Sequence, residues 1–354
     1  HTMVQDPQNP AIIHAAKATE YRKLQDNGTS LNNVATVYLG IGGARSIAVA
    51  PSDNSQIWIG VDDGLRHSTD GGLSFSAVLM YYQPNAIVIH PEDPNTIWIG
   101  NTGHDKDADG NGINRVLRSF DGGLTWTDMS LGLPYLPVLD LVYQQGSNGV
   151  LYAGTDIGVY RYDPTVGRWA CYNKGLPVCM VTDLEIDYCR QVLHIGTFGR
   201  GIWESPLQIA NAPRIIGANQ NTIWEQNSYC LNDIIVEGGA TLTIKATLKM
   251  GEDKKIVVKR GAKLIVDNGT ITNTCGARWG GIEVCGNTAV AHKDLFNTDT
   301  PDGLTVEDYE NLVLADNDPG MLILKNSATL QNGNINTIIT NRSGGYFPNH
   351  YGGI

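Results

Sequence analysis

An all-β chain built from two kinds of repeat is predicted by three recurrences. The run Ser68-Thr69-Asp70-Gly71-Gly72-Leu73-Ser74-Phe75 returns as Ser119-Phe120-Asp121-Gly122-Gly123-Leu124-Thr125-Trp126. Ile57-Trp58-Ile59-Gly60 returns as Ile97-Trp98-Ile99-Gly100, Leu151-Tyr152-Ala153-Gly154 and Leu193-His194-Ile195-Gly196, with an upstream echo at Ile13-His14-Ala15-Ala16. In the last third, Gly239-Ala240-Thr241-Leu242, Gly261-Ala262-Lys263-Leu264 and Ser327-Ala328-Thr329-Leu330 lie 22 and 66 residues apart. Internal repeats set an architecture before any local signal does.

The first repeat has intervals of 44, 40, 54 and 42 residues, the span of a four-stranded β-propeller blade. Its copies share one order. An apolar strand such as Ser46-Ile47-Ala48-Val49 or Ala86-Ile87-Val88-Ile89 leads through a polar turn to the Ile-Trp-Ile-Gly strand. The Asp-containing run then forms a tight turn, with an Asp that accepts backbone N–H groups, glycines free to take φ > 0, and an aromatic anchor. Weaker copies of the turn stand at Asp26-Asn27-Gly28-Thr29-Ser30-Leu31 and from Tyr162-Asp163-Pro164 to Gly167-Arg168-Trp169. Trp58, Trp98 and Tyr152 share a strand position and are expected to pack between blades. Counting predicts three whole blades with a partial one at each end, hence missing N-terminal blades or a truncated ring, in a segment of a longer protein.

The Asp turns resemble the Asp-box of the BNR and sortilin-like β-propellers, Ser-x-Asp-x-Gly-x-(Ser/Thr)-Trp, with Phe75 in place of Trp in the first copy. Gly196-Thr197-Phe198-Gly199-Arg200-Gly201-Ile202-Trp203 is similar to the run that closes propellers of that family. The resemblance implies that the box is a structural turn and not a catalytic site.

After Pro206 the pattern changes. Residues 1–206 read as propeller, 207–221 as linker and 222–354 as a second domain. There a rung of about 22 residues, with short strands and Asn/Gly turns such as Asp267-Asn268-Gly269 and Gln331-Asn332-Gly333, describes a parallel β-helix. Stacked Asn amides between rungs are expected. Cys275-Gly276-Ala277-Arg278-Trp279-Gly280-Gly281-Ile282-Glu283-Val284 resembles the right-handed β-helix modules of large secreted proteins of the Bacteroidetes type. Ala289–Leu314 interrupts the rungs as an acidic insertion, with a helix expected over Leu304–Leu314; near Ala15–Leu24 a short helix competes with the strand that the repeat places there.

With 354 residues, two domains are the natural expectation. Forty-one glycines and only 17% charged residues suit turn-rich β structure. A net charge of −11 argues against nucleic-acid binding, which needs Lys and Arg to neutralise phosphates. No apolar run approaches the roughly 20 residues that cross a bilayer. The six cysteines lack zinc-ligand spacing and point to disulfides in an exported protein. Cys171 with Cys179 or Cys189, and Cys275 with Cys285 or Cys230, are the pairings that stay within a domain.

Candidate chemistry is sparse. Asp105, Asp107, Asp109 and Asn111, followed by Gly112, sit in the insertion behind the 54-residue interval. Alternating oxygen ligands with Gly at the bend are how a calcium loop starts, although Val116 stands where an EF-hand has its bidentate Glu. A solvated acidic loop is the alternative. Arg45, Arg66, Arg118, Arg161 and Arg200 do not form the arginine motif of sialidases, and Asp62, Asp63 and Asp156 are candidate cleft carboxylates. The histidines show no HExxH pattern. No catalytic residue is assigned. The expected protein is bacterial, secreted or displayed at the cell surface by type IX secretion, and non-catalytic: an adhesin, surface-layer or filament component that binds other protein subunits or cell-surface glycans. The alternatives are part of a carbohydrate-active enzyme of the glycoside hydrolase or sialidase kind, and a sortilin-like peptide-binding propeller.

Overall fold

A computed structural model describes residues 2–40, 42–77, 83–102, 115–209, 212–286, 311, 313–315, 318–333 and 339–342. Every element named among them is a strand, so the chain is all-β: antiparallel blade-like sheets followed by a parallel β-solenoid. It divides into two compact units, residues 1–144 with 148–207, and 145–147 with 208–354.

The first unit holds five antiparallel sheets in chain order. The first runs through β1 (Thr2–Gln5), β2 (Ile12–Lys17), β3 (Glu20–Asp26) and β4 (Leu31–Tyr38). The second comprises β5 (Ala44–Ala50), β6 (Asp53–Val61) and β7 (Gly64–Ser68). The third takes β8 (Pro84–Ile89), β9 (Ile97–Asn101), β10 (Val116–Ser119) and β11 (Thr127–Asp128). The fourth is β12 (Val138–Tyr143), β13 (Leu151–Thr155), β14 (Gly158–Asp163) and β15 (Arg168–Cys171). The fifth is β16 (Val181–Asp187), β17 (Val192–Thr197) and β18 (Gly201–Pro206). The recurring Ile-Trp-Ile-Gly run is the second strand of every sheet. The first sheet is a full four-stranded meander and not a partial blade. Residues near Ala15–Leu24 form the β2–β3 hairpin and not the short helix: Ile12, His14 and Ala16 are buried at period 2, and Ala18 turns the chain at φ 49°.

The sheets stack in sequence, each burying apolar residues against the next. Two devices set the spacing. A β-bulge interrupts the first strand at Ala44/Ser46, Pro84/Ala86, Val138/Asp140 and Val181/Asp183. The second strand's glycine faces this bulge region, and its missing side chain admits the next sheet. A Cβ on Gly100 would stand 2.6 Å from Val138 Cγ1, one on Gly154 2.9 Å from Val181 Cγ1, and one on Gly60 would strike the Pro84 carbonyl.

The Asp turns fasten the third strand. Asp70 Oδ1 accepts the N–H groups of Leu73 and Ser74 at 2.9 Å, and its Oδ2 accepts the Ser74 hydroxyl at 2.6 Å. Asp121 accepts the Thr125 N–H at 2.8 Å and hydroxyl at 2.6 Å. Gly72 and Gly123, both at φ 85°, lie so close to Tyr21 and Trp58 of the preceding sheets that neither position has room for a Cβ.

In the second unit three parallel sheets run along the solenoid. One stacks β19 (Arg214–Ile216), β22 (Ile234–Val236), β25 (Lys255–Val258), β28 (Gly281–Cys285) and β31 (Ile339–Arg342). The second stacks β20 (Asn221–Trp224), β23 (Thr241–Ile244), β26 (Lys263–Asp267) and β29 (Met321–Lys325). The third stacks β21 (Ser228–Cys230), β24 (Thr247–Met250), β27 (Thr270–Asn273) and β30 (Thr329–Leu330). Like residues line up inside: Ile234 on Ile256 on Ile282, and Leu242 on Leu264 on Leu322. The repeat read at Ser327–Leu330 is therefore out of phase. Met321–Lys325 stacks on Lys263–Asp267, whereas Thr329–Leu330 pairs with Thr270–Ile271 on another face. The insertion after Cys285 breaks the 22-residue count, so similarity of four residues is no guide to the rung. Asn268 and Asn332 take the positive φ of the turns, at 54° each. Amides do join rungs, with Asn332 Nδ2 donating to Asn273 Oδ1 at 3.0 Å and Asn326 Nδ2 to Asp267 Oδ1 at 2.7 Å. Of the expected helix Leu304–Leu314, residues 304–310 and 312 lie outside the described residues.

Cys230 is a thiol that donates to the Asn232 carbonyl. In the first unit Cys171 and Cys179 are free thiols while Cys189 is disulfide-bonded, and in the second unit Cys275 is disulfide-bonded. Cys171 therefore pairs with neither Cys179 nor Cys189.

Candidate functional site

One rim of the sheet stack carries the three candidate carboxylates. There the first strands begin and the second strands end, with Ala44 opposite Val61, Pro84 opposite Asn101, Val138 opposite Thr155 and Val181 opposite Thr197. Asp62 and Asp63 form the turn after β6, and Asp156 the corresponding turn after β13. The third sheet stands between the turn of Asp62 and Asp63 and that of Asp156.

Asp62 is engaged locally. Its Oδ1 takes Arg45 Nε at 2.5 Å and its Oδ2 the Gly43 N–H at 2.6 Å. The Gly43 N–H first, then Arg45, hold its carboxyl below the usual range. Arg45 also reaches Asn85 Oδ1 at 3.3 Å. Among the other arginines, Arg66 pairs with Asp63 at 3.5 Å, Arg161 with Asp163 at 3.6 Å, and Arg118 lies 3.9 Å over the Phe120 ring. The register separates residues that look equivalent in sequence: Arg118 and Arg161 stand opposite Trp98 and Tyr152, whereas Arg66 stands opposite Ile59 and His67 takes the place opposite Trp58.

The groups that the sequence reading passed over are Asp140 and Asp183. Both follow the first-strand bulge, opposite Gly154 and Gly196. Asp140 Oδ1 accepts the Leu141 N–H at 2.8 Å, and its Oδ2 crosses to the next sheet to accept the Leu184 N–H at 2.7 Å. Burial pushes its carboxyl up to about 7 against these two bonds, and the nearby charge of Asp183 adds to the rise. In the second sheet Ser46 occupies the same place and likewise crosses, donating to the Pro84 carbonyl at 2.9 Å. The signal was present in the sequence as the repeated Asp-Leu of Asp140-Leu141 and Asp183-Leu184.

A second polar chain is buried within the first sheet. His14 Nδ1 bonds the Tyr21 hydroxyl at 2.7 Å and Nε2 meets Asp6 Oδ2 at 3.2 Å. Burial lowers the His14 pKa. Burial alone would raise Asp6, but the N–H groups of Gln8 and Asn9 with His14 and Asn54 hold it low. With His14 fully enclosed, this chain is a core network.

Asp105, Asp107, Asp109 and Asn111 lie outside the described residues. Among the described residues no group of three or more His, Cys, Asp or Glu is placed to hold a metal ion.

The sequence matches no protein-family model and no curated protein. Several solved structures are similar in chain path. One is an ancestral GH74 enzyme, 22% identical with a TM-score of 0.44, over 55% of this chain and 27% of that one. Another is the GH74 xyloglucanase of Xanthomonas campestris, 18% identical with a TM-score of 0.42, over 58% of this chain and 36% of that one. A third is the extracellular domain of a hybrid two component system of B. thetaiotaomicron, 16% identical with a TM-score of 0.42, over 58% of this chain and 26% of that one. This chain thus spans about a quarter to a third of the length of each.

Proposed function

We propose that this is an extracellular, non-catalytic protein that presents rigid β surfaces for binding, as an adhesin or structural component whose partners are glycans or other protein subunits. What supports the reading most is the use made of the charged groups. Asp70 and Asp121 are spent inside their own turns, Asp62 on Arg45 and the Gly43 N–H, and Asp140 on two backbone N–H groups. The disulfide-bonded state of Cys189 and Cys275 fits an oxidising compartment. The Asp-box, BNR and type IX secretion assignments remain part of this proposal, as does calcium at Asp105, Asp107, Asp109 and Asn111. A glycan-array and cell-wall pull-down experiment on the full chain tests it: retention on a surface polymer without turnover is expected, and release of reducing ends from a bound glycan overturns it.

One observation favours a carbohydrate-active reading. A carboxyl that keeps its proton to about pH 7 beside a second carboxylate has the character of a glycosidase general acid. Hydrolysis abolished by Asp140→Asn would establish that reading.

A further inference from the structure

The first and second sheets are joined by a buried polar chain with one titratable ring at its centre. At one end, Asp6 accepts the Asn54 amide of the second sheet, at 3.2 Å on Oδ1 and 3.1 Å on Oδ2. At the other end, the Tyr21 hydroxyl packs on the Asp turn of the second sheet, where a Cβ on Gly72 would strike it. The Tyr21 ring also meets Phe75 edge-on at 4.9 Å. His14 lies between the two ends and bonds both. Asp6 is 2% exposed, and His14 and Tyr21 are 0% exposed.

These bonds fix where the protons sit. Asp6 Oδ1 accepts the N–H groups of Gln8 and Asn9 at 2.9 Å each, and with the Asn54 amide this donor set suits an ionised carboxylate. His14 Nε2 therefore carries the hydrogen that it gives to Asp6. Nδ1 is then the acceptor of the Tyr21 O–H, which burial first, and the charges of Asp6 and Asp70 next, keep protonated. Both nitrogens of the neutral ring are satisfied. A second ring proton goes on Nδ1, where it displaces the Tyr21 hydrogen. That O–H must turn away from the ring although its oxygen is already packed on Gly72, and a buried hydroxyl without an acceptor is costly.

We infer that Asp6, His14 and Tyr21 form an acid-opened clasp between the first and second sheets, released when His14 takes a proton on Nδ1 and unseats Tyr21 from the Asp turn. The charged and titratable groups that face the ring are Asp6 from the turn after β1, Tyr21 and Lys23 from β3, and Asp70 of the second sheet, which acts through Tyr21. Burial leads in opposing the proton. Lys23, whose Nζ donates to the Gly71 carbonyl at 3.1 Å, opposes it too, and Asp6 favours it. The closed form therefore takes the proton below the ordinary histidine value of about 6.5, whereas an open form with a solvated ring takes it near that value. Between the two values the open form binds more protons, so acid favours it by up to about tenfold per pH unit. Above that range the contribution of the clasp is complete. Asp6 and Asp70 are both held below the usual carboxylate range, so neither titrates in this window. The device is independent of the binding role proposed above.

The test is hydrogen exchange of the full chain, read by mass spectrometry from about pH 7 to about pH 5 with the intrinsic pH dependence of exchange divided out. Protection of β2 and β3 is expected to fall by up to about tenfold per pH unit, while β13 and β14 of the fourth sheet do not follow. His14→Gln keeps a polar side chain that does not titrate and is expected to flatten the slope. Should that variant fail to fold, NMR of the wild-type His14 ring replaces it, and a proton gained only together with the loss of protection is expected. Protection of β2 and β3 that stays level across the range overturns the inference, as does an equal fall in β13 and β14. An unchanged slope in His14→Gln overturns it too, and so does a ring that titrates at or above about 6.5 with β2 and β3 still protected.

Discussion

Asp140 Oδ2 accepts the backbone N–H of Leu184 at 2.7 Å, a bond from the first strand of one sheet to the first strand of the next. It ties the stack at its polar rim, and its carboxyl holds a proton up to about pH 7. The unfolded chain loses that proton near pH 4, so the folded chain binds the extra proton between these values. Stability is expected to fall as pH rises from about 4 to about 7 and to level off above. Asp140→Asn should flatten this slope in melting curves recorded from pH 4 to 8, and an unchanged slope would remove Asp140 as its source.

Acid should act in the opposite sense at the Asp turns. The Thr125 hydroxyl and N–H, with the Ser119 hydroxyl, hold Asp121 down to about 2. Its contribution is present above the usual carboxylate range and is lost as pH falls toward 2. Asp121→Asn is expected to lower the melting temperature at pH 6 and to narrow the gap from wild type at pH 2.

The glycine slots predict a position-dependent cost for one substitution. Gly100→Ala drives a Cβ to 2.6 Å from Val138 and should cost about 1–3 kcal/mol by overpacking. Gly196→Ala, whose nearest neighbour is Asp183 of its own sheet, should cost less than about 1 kcal/mol. Urea denaturation of the two variants compares them directly, and equal costs would contradict the packing described here.

In the solenoid, Trp279 is fully buried and donates its indole N–H to the Gln331 carbonyl at 2.6 Å. Trp279→Ala removes the ring and leaves the carbonyl without that donor, for an expected loss of about 3–5 kcal/mol. Hydrogen exchange across β27 and β30 would register the loosening.

Thiol labelling separates the cysteines. Exposed Cys171 should react with a maleimide in the native protein and buried Cys179 only on unfolding, whereas Cys189 and Cys275 should need prior reduction. Peptide mapping reads out each site, and labelling of Cys189 without reductant would count against an oxidised state.

Much of this was legible in the chain itself. The Ile-Trp-Ile-Gly run located the second strand of all five sheets, because a residue facing the same neighbours in every sheet must recur in kind. The Asp turns were legible because their bonds lie within a few residues of one another. The hairpin at Ala15–Leu24 stayed open between helix and strand because its period-2 burial follows from the second sheet that covers it.

Local chemistry thus determined the strands, the turns and the existence of two repeats. Tertiary structure alone decided which rung Met321–Lys325 joins, since parallel stacking matches side chains far apart in sequence and takes no notice of an insertion between them. It also decided the state of Asp140, whose raised pKa comes from burial between sheets and from Asp183, 43 residues onward in the sequence. The same holds for Ile202: its sequence position matches Leu65 and Val159, yet no sheet covers it among the described residues and it is surface. Burial is a property of neighbours, and neighbours are set by the fold.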